Sequence, residues 1–318
     1  VWGRAAGRLS IENSYVDITK ARVTNGPSSI EVDGRFSLGY PRRDGGEEIN
    51  ARIVLNDRPM RDLRHAFELD DWPLEGRVSG EFRLADRYTR PVGYGRLSIV
   101  DATAWGEPVD RASSPMRFDG KGVRLDAVEI LKGGGTITGA AYVGWNGAYS
   151  FDVVGERIPL EKVGSLRSGT VEWTGQLHFT AGGASTFASP RYDVQMGAEE
   201  VSVGGEAIGT VAMRFGVKGR LITIDQLEAA GPGVSGAGQI EMSDTMESDF
   251  SLRFNRTLLD PYVRLFEPRL SPYTRAAASG SVRVIGQLAN WDRLAATAAI
   301  DALDVSLFDD AISNDGPI

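Results

Sequence analysis

The stretch Glu75–Leu84, EGRVSGEFRL, alternates apolar or small residues (Val78, Gly80, Phe82, Leu84) with polar ones (Arg77, Ser79, Glu81, Arg83). A period of two sends alternate side chains to opposite faces, so this is a strand with one dry face and one wet face. The pattern returns twice. GTVEWTGQLHF, Gly169–Phe179, puts Val171, Trp173, Gly175, Leu177 and Phe179 on one face. GSVRVIGQL, Gly280–Leu288, does so with Val282, Val284, Gly286 and Leu288. In each copy a glycine stands on the dry face, where a packed core would want Val or Ile. Aligned on Gly80, Gly175 and Gly286, the copies lie 95 and 111 residues apart.

Each copy follows a proline-led helical turn. DRPMRDLRHAF has Pro59, then Met60, Leu63 and Phe67 at helical spacing. RIPLEKVGSL has Pro159, then Leu160, Val163 and Leu166; LLDPYVRLF has Asp260 as N-cap, Pro261, then Tyr262, Leu265 and Phe266. Proline suits a first helical position because its missing N–H would have no partner there. The three prolines are 100 and 102 residues apart. A third correspondence sets MRFDGKGVRLDAVEILKGGGTITG (Met116–Gly139) beside MRFGVKGRLITIDQLEAAGPGVSG (Met213–Gly236).

Between the first two helical turns the alternation gives about six strands: 76–84, 93–103, 114–119, 122–131, 135–144 and 147–155, with a similar set over 169–255. Short links such as Asn146-Gly147 and Asp119-Gly120 are hairpin signals, because tight hairpins need residues that tolerate positive φ. Short links make antiparallel neighbours. The expected fold is therefore mostly β: a long antiparallel meander with about one short helix per hundred residues, its apolar face covered either by a second sheet or by the same sheet curled round. As domains this is one continuous array over 1–318 with units 1–75 (partial), 76–168, 169–275 and 276–318 (partial). The chain opens and closes within the pattern, which reads as a piece of a longer chain. Repeats that cannot bury their apolar face alone must share a continuous core.

The formal charge of −8 and pI near 5.0 argue against a nucleic-acid partner, which needs a cationic footprint. There is no Cys, and the two histidines, His65 and His178, are far apart. Neither a thiolate site nor a histidine metal site is expected. No apolar run reaches the ~20 residues of a membrane helix. Gly133-Gly134-Gly135 and GPGVSGAG (Gly231–Gly238) precede alternating strand residues, not a lysine and a helix start, so they read as turns rather than phosphate cradles. No nucleophile–base pairing is visible. The expectation is no catalytic residue, no metal, no cofactor and no enzyme activity. Trp105, Trp145 and Trp291 fall near strand ends and read as caps on the sheet rim.

The segments WPLEGRVSGEFRL (72–84), LRSGTVEWTGQLHF (166–179) and RAAASGSVRVIGQL (275–288), each behind a helical turn, resemble the AsmA-like superfamily and its TamB-like repeating β-groove proteins. The resemblance covers most of the chain as a repeat pattern. It implies a non-enzymatic lipid-transport conduit. The sheet would curl into an elongated groove around phospholipid acyl chains in the periplasmic part of a bacterial envelope protein anchored in the inner membrane. It would serve outer-membrane biogenesis, with envelope proteins as partners through other parts of the chain. The groove residues would be Val78, Gly80, Phe82, Leu84, Val171, Trp173, Gly175, Leu177, Phe179, Val282, Val284, Gly286 and Leu288. The alternative is a closed β-solenoid or sandwich scaffolding envelope or outer-membrane protein assembly. A β-helix acting on polysaccharide fits less well, since its rungs would repeat every ~20–25 residues.

Overall fold

A computed structural model of the 318-residue chain describes residues 3–38, 48–66, 73–167, 171–260, 274–307, 310–314 and 316. The chain divides into two compact units: Val1–Ile158 with Lys162–Ser165, and Pro159–Glu161 with Leu166–Ile318.

The first unit holds β1 (Arg4–Glu12), β2 (Tyr15–Asn25), β3 (Ser28–Ser37), β4 (Glu48–Pro59), α1 (Met60–Ala66), β5 (Leu74–Arg87), β6 (Arg90–Ala104), β7 (Glu107–Asp119), β8 (Gly122–Lys132), β9 (Gly135–Gly144) and β10 (Ala148–Pro159). A 3-10 turn, Leu160–Lys162, and a short helix, α2 (Gly164–Arg167), follow. The second unit holds β11 (Trp173–Thr186), β12 (Arg191–Val203), β13 (Glu206–Lys218), β14 (Leu221–Ala229), β15 (Val234–Glu241), β16 (Glu247–Leu258), β17 (Thr274–Gln287), β18 (Leu294–Leu307) and β19 (Asp310–Ser313).

Within each unit every strand pairs antiparallel with its neighbour in sequence. Among the described residues no register joins β1 to β10 or β11 to β19, so each meander is open. The mostly β antiparallel meander with few, short helices is thus what the chain forms, and six strands separate α1 from the turn after β10.

The hairpins follow their turn residues. Gly133-Gly134 and Gly204-Gly205 each close a two-residue loop with φ of 59° and 96°, and 59° and 84°. Two successive positive φ values match the right-handed twist of the flanking strands, and glycine reaches them without cost. The Gly133–Gly135 run is therefore a hairpin turn. β7 begins earlier than its alternation indicated, at Glu107, because Pro108 interrupts the pattern ahead of residue 114. Pro115 pairs with Arg96 of β6 but falls in a register shift towards β8, where its missing N–H breaks no ladder bond. Pro59 and Pro159 are the last residues of β4 and β10, just ahead of their helical turns. Phe67, Trp72, Gly169, Thr170 and the turn from Pro261 to Phe266 lie outside the described residues.

The backbone marks the repeat more sharply than the sequence does. Asp57, Arg157 and Arg256 adopt φ of 53°, 51° and 49°, at intervals of 100 and 99 residues. Asp101 and Glu200, at 50° and 53°, are 99 apart; so are Gly76 and Gly175, at 130° and 135°. Most of these are β-bulges: the registers shift at Leu55/Arg58, Phe254/Thr257, Glu75/Arg77, Thr174/Gln176 and Ala198/Val201. A bulge adds one residue to one strand, bends it and raises the local twist.

These markers correct the glycine alignment. Gly175 sits in the bulge near the start of β11, and its counterpart in β5 is Gly76. Gly80 is in regular pairing with Leu55 and Leu97. The Asp57 amide donates to Ser79 Oγ at 3.0 Å, and the Arg256 amide to Ser279 Oγ at 2.8 Å. The counterpart of Val78-Ser79-Gly80 is thus Ala278-Ser279-Gly280. Gly286 lies six residues further on, opposite Leu294 near the end of β17, with φ of 133°. Gly80, Gly175 and Gly286 share a sequence pattern but occupy three different structural positions.

Candidate functional site

The dry faces keep their alternation in three dimensions. From Trp173 to Thr180 half-buried Trp173, Gly175, Leu177 and Phe179 alternate with exposed Thr174, Gln176, His178 and Thr180. Phe82 in β5, and Val282 and Val284 in β17, are half-buried between exposed neighbours; Leu84, Gly80, Gly286 and Leu288 are half-buried too. Val171 is exposed at 36 %. Val78, in contrast, is fully buried at 0 %. Among the described residues only eleven hydrophobic residues are buried, few for so many strands, because no second layer covers most of this face.

Several of the buried residues gather where the helical turns come over the strand ends. Leu160, from the turn after β10, packs with Ala198, Val201 and Ile208, and against them lie Leu166, Trp173, Leu177, Val203, Val211 and Ala229. A methyl group on Gly175 would stand 3.2 Å from Leu160 Cδ1 and 3.1 Å from Val201 Cα. Glycine here lets the turn settle onto the sheet. Leu160, Leu166, Val171 and Trp173, with Glu161, Arg167 and Glu172 at the rim, line a cavity of about 330 Å³. Trp173 and Leu177 are therefore part of a small local core, while Phe179, two residues on, lies beyond it. His178 stands beside its cross-strand partner Gly197 on the wet face.

The other face glycines lie beneath large side chains. Phe82 Cε2 and Cζ would each be 3.0 Å from a methyl on Gly80, and the same ring covers Gly95, its partner in β6. Phe82 then meets Phe118 of β7 edge-on, with ring centres 6.2 Å apart and planes at 81°, across a β6 that presents Gly93 and Gly95. In the second unit Phe250 lies on Gly238, Leu252 on Gly236 and Phe254 on Gly280, each across a strand pair. A glycine that faces an aromatic partner lets the ring lie along the sheet and shields the bare backbone. The dry face is paved with flat side chains rather than filled by upright ones.

The turn after β10 is also held electrostatically, within the first unit. Glu107 Oε2 accepts from Lys132 Nζ at 3.0 Å and from the Gly164 amide at 2.8 Å; Oε1 accepts from the Ser165 amide at 3.1 Å. Lys132 is buried, at 7 % exposure, and also donates to the Pro108 carbonyl at 2.6 Å. Burial by itself would push the Glu107 carboxyl up. The Gly164 amide, the Lys132 ammonium and the Ser165 amide outweigh it and hold the carboxyl below its ordinary value. The wet face carries exposed pairs such as Arg52–Glu81 at 2.7 Å and Arg283–Asp249 at 2.8 Å, each contributing little to stability. Arg77 pairs with Asp57 at the bulge.

Among the described residues no group of three His, Cys, Asp or Glu side chains is placed to hold a metal, and no helix is long and apolar enough to cross a membrane. Trp105 and Trp145 stand at turns and are 63 % and 48 % exposed. Comparison of the chain with family models, with curated proteins and with solved structures finds no match.

Proposed function

We propose that the chain is a non-enzymatic lipid-binding segment whose dry face takes phospholipid acyl chains, as the AsmA-like resemblance implies, in a bacterial envelope protein that moves phospholipid across the periplasm. One observation carries this reading: successive strands present half-buried apolar residues on one face, and among the described residues only short helical turns cover any of it. Apolar area left half-open is costly in water and is stabilised by an apolar guest. A buried methylene contributes ~0.8 kcal/mol, so a 16-carbon chain recovers on the order of 10 kcal/mol. Flat Phe82 and the glycines beneath it leave a smooth floor with no polar group to fix one lipid in place, which suits sliding. A scaffold with a closed core would require a second layer over Phe82, Phe179 and Val284.

The test is lipid content. Purified 318-residue chain should carry phospholipid by native mass spectrometry, or take up a fluorescent phospholipid from vesicles. A chain that is lipid-free and takes up none overturns the reading.

A further inference from the structure

The two edges of each meander differ. One edge carries the helical turns after β4 and β10 and, among its hairpins, Trp105. The other carries the hairpins β5–β6, β9–β10, β11–β12, β13–β14 and β15–β16, together with the end of β3. Here large apolar side chains stand exposed at positions that correspond from repeat to repeat. Tyr88 and Phe187, both at the first hairpin after a helical turn and 99 residues apart, are 43 % and 44 % exposed. Leu38, Trp145 and Met242 follow β3, β9 and β15, in each case the strand before the one that leads to Pro59, Pro159 or Pro261, and are 51 %, 48 % and 37 % exposed. Scattered exposed apolar residues need no explanation, but the same exposure at equivalent turns in successive repeats does.

Cations accompany them. Arg87 faces Arg90 across the Tyr88 hairpin and Glu48 of β4 on its other side. Arg191 faces Lys218, and the Gly219 amide of the next turn donates to the Pro190 carbonyl at 2.7 Å, which brings Arg220 to the same cluster. Like charges directly opposite on antiparallel strands destabilise the pair. In the second unit this happens although basic residues number 12 against 20 acidic ones. Glu241, the partner of Leu221, and Asp193, two residues along β12 from Arg191, are acids at that cluster's margin.

We infer that this edge, opposite the helical turns, is the seam where the phosphate-bearing part of a bound phospholipid emerges. The inference rests on the acyl-chain reading above. Tyrosine and tryptophan rings favour the zone between hydrocarbon and water, and paired cations complement a phosphate. The helical-turn edge is covered at Leu160 and its neighbours and carries Glu107, Glu200 and Glu206, and cations there such as Arg58, Arg77 and Lys132 are paired with the carboxylates of Asp62, Asp57 and Glu107.

The experiment places a photoreactive phenylalanine analogue singly at Tyr88, Phe187, Phe179 or Trp105 of the 318-residue chain. Each is irradiated with vesicles of phosphatidylethanolamine and phosphatidylglycerol carrying labelled acyl chains. Lipid adducts are expected at Phe179 and at Tyr88 and Phe187, and at least fivefold fewer at Trp105. Arg191→Glu with Lys218→Glu should lower the Phe187 adduct severalfold and leave that at Phe179 unchanged. Adducts at Phe179 alone, or equal yields at Trp105, overturn the seam and leave the acyl-chain reading standing. Adducts at none of the four overturn both. Chain-to-chain crosslinks in place of lipid adducts at Tyr88 and Phe187 overturn the seam in favour of a contact between copies.

Discussion

Phe82 lies flat over Gly95, its partner on the neighbouring strand, and over Gly80 two residues before it in its own. This answers why a dry face carries glycine: the side chain that covers the position belongs to another residue. Gly95→Val should cost about 1–3 kcal/mol as overpacking, read as a lower urea midpoint with an unchanged slope. Phe82→Ala in the same chain should recover only part of it, because the Glu81 carbonyl also stands 2.6 Å from where the new Cβ would be. Full additivity of the two changes would show that ring and glycine are not coupled.

The bulge after Leu55 and the bulge after Phe254 are capped alike, by Ser79 on the Asp57 amide and by Ser279 on the Arg256 amide. Ser79→Ala should destabilise by about 1–2 kcal/mol, the cost of a part-buried donor left unpaired, and Ser279→Ala by less, because water reaches the exposed Arg256 amide. Hydrogen exchange locates the effect: the Asp57 or Arg256 amide should lose protection first. Unchanged exchange at that amide in its variant would remove the capping role.

Positive φ at Glu200 can be tested without touching a partner strand's side chain. At φ of 53° a β-branched residue is strained, whereas glycine is free. Glu200→Val should therefore be less stable than Glu200→Gly by about 1–2 kcal/mol, by thermal or urea unfolding. Equal stability would mean that the bulge relaxes when substituted.

Glu107 gives the fold an acid-sensitive contact. Its folded carboxyl is held below the ordinary value of 4.5, so the stabilisation is present above that pH and is lost as pH falls through the lower folded value. Stability measured from pH 6 down to pH 3 should fall more steeply in the parent chain than in Glu107→Gln, which no longer titrates there. Parallel curves would show that Lys132 and the Gly164 and Ser165 amides do not depend on the charge.

The strands were legible in the sequence because a period of two survives wherever one face is drier than the other. β8 and β9 begin and end within one residue of their sequence boundaries. β7 was cut short at its start because Pro108 masks the alternation, and only pairing geometry shows Pro108 opposite Thr103 of β6, ahead of the β7–β8 register that begins at Arg111. The repeat was legible, its register was not. Gly80, Gly175 and Gly286 looked equivalent because glycine serves both as the floor under an aromatic ring and as the pivot of a bulge. Sequence does not separate those uses. Met116-Arg117-Phe118 and Met213-Arg214-Phe215 misalign for a similar reason. The following turn places Gly120 against Gly219, 99 residues apart, whereas the motifs are 97 apart. The positive-φ residues Asp57, Arg157 and Arg256 are an aspartate and two arginines, types that also fill ordinary strand positions throughout the chain, so nothing in composition announces them.

The dry face separates into two kinds of position, and substitution should tell them apart. Trp173 and Leu177 touch the cluster of Leu160, Ala198, Val201 and Ile208, so a carboxylate there faces a packed, largely buried surround. Trp173→Glu and Leu177→Glu should destabilise the second unit by several kcal/mol and reduce lipid uptake only as a result of unfolding. Phe179 and Val284 are half-buried, and neither belongs to that cluster. Phe179→Glu and Val284→Glu should leave the unfolding midpoint within about 1 kcal/mol of the parent while lowering phospholipid uptake at least threefold, because the charge would meet acyl chain instead of water. Circular dichroism melts beside a fluorescent-lipid uptake assay read both quantities on the same preparations. If Phe179→Glu unfolds the chain as Leu177→Glu does, the face at Phe179 is closed core; if it folds and takes up lipid normally, acyl chains do not pass over that position.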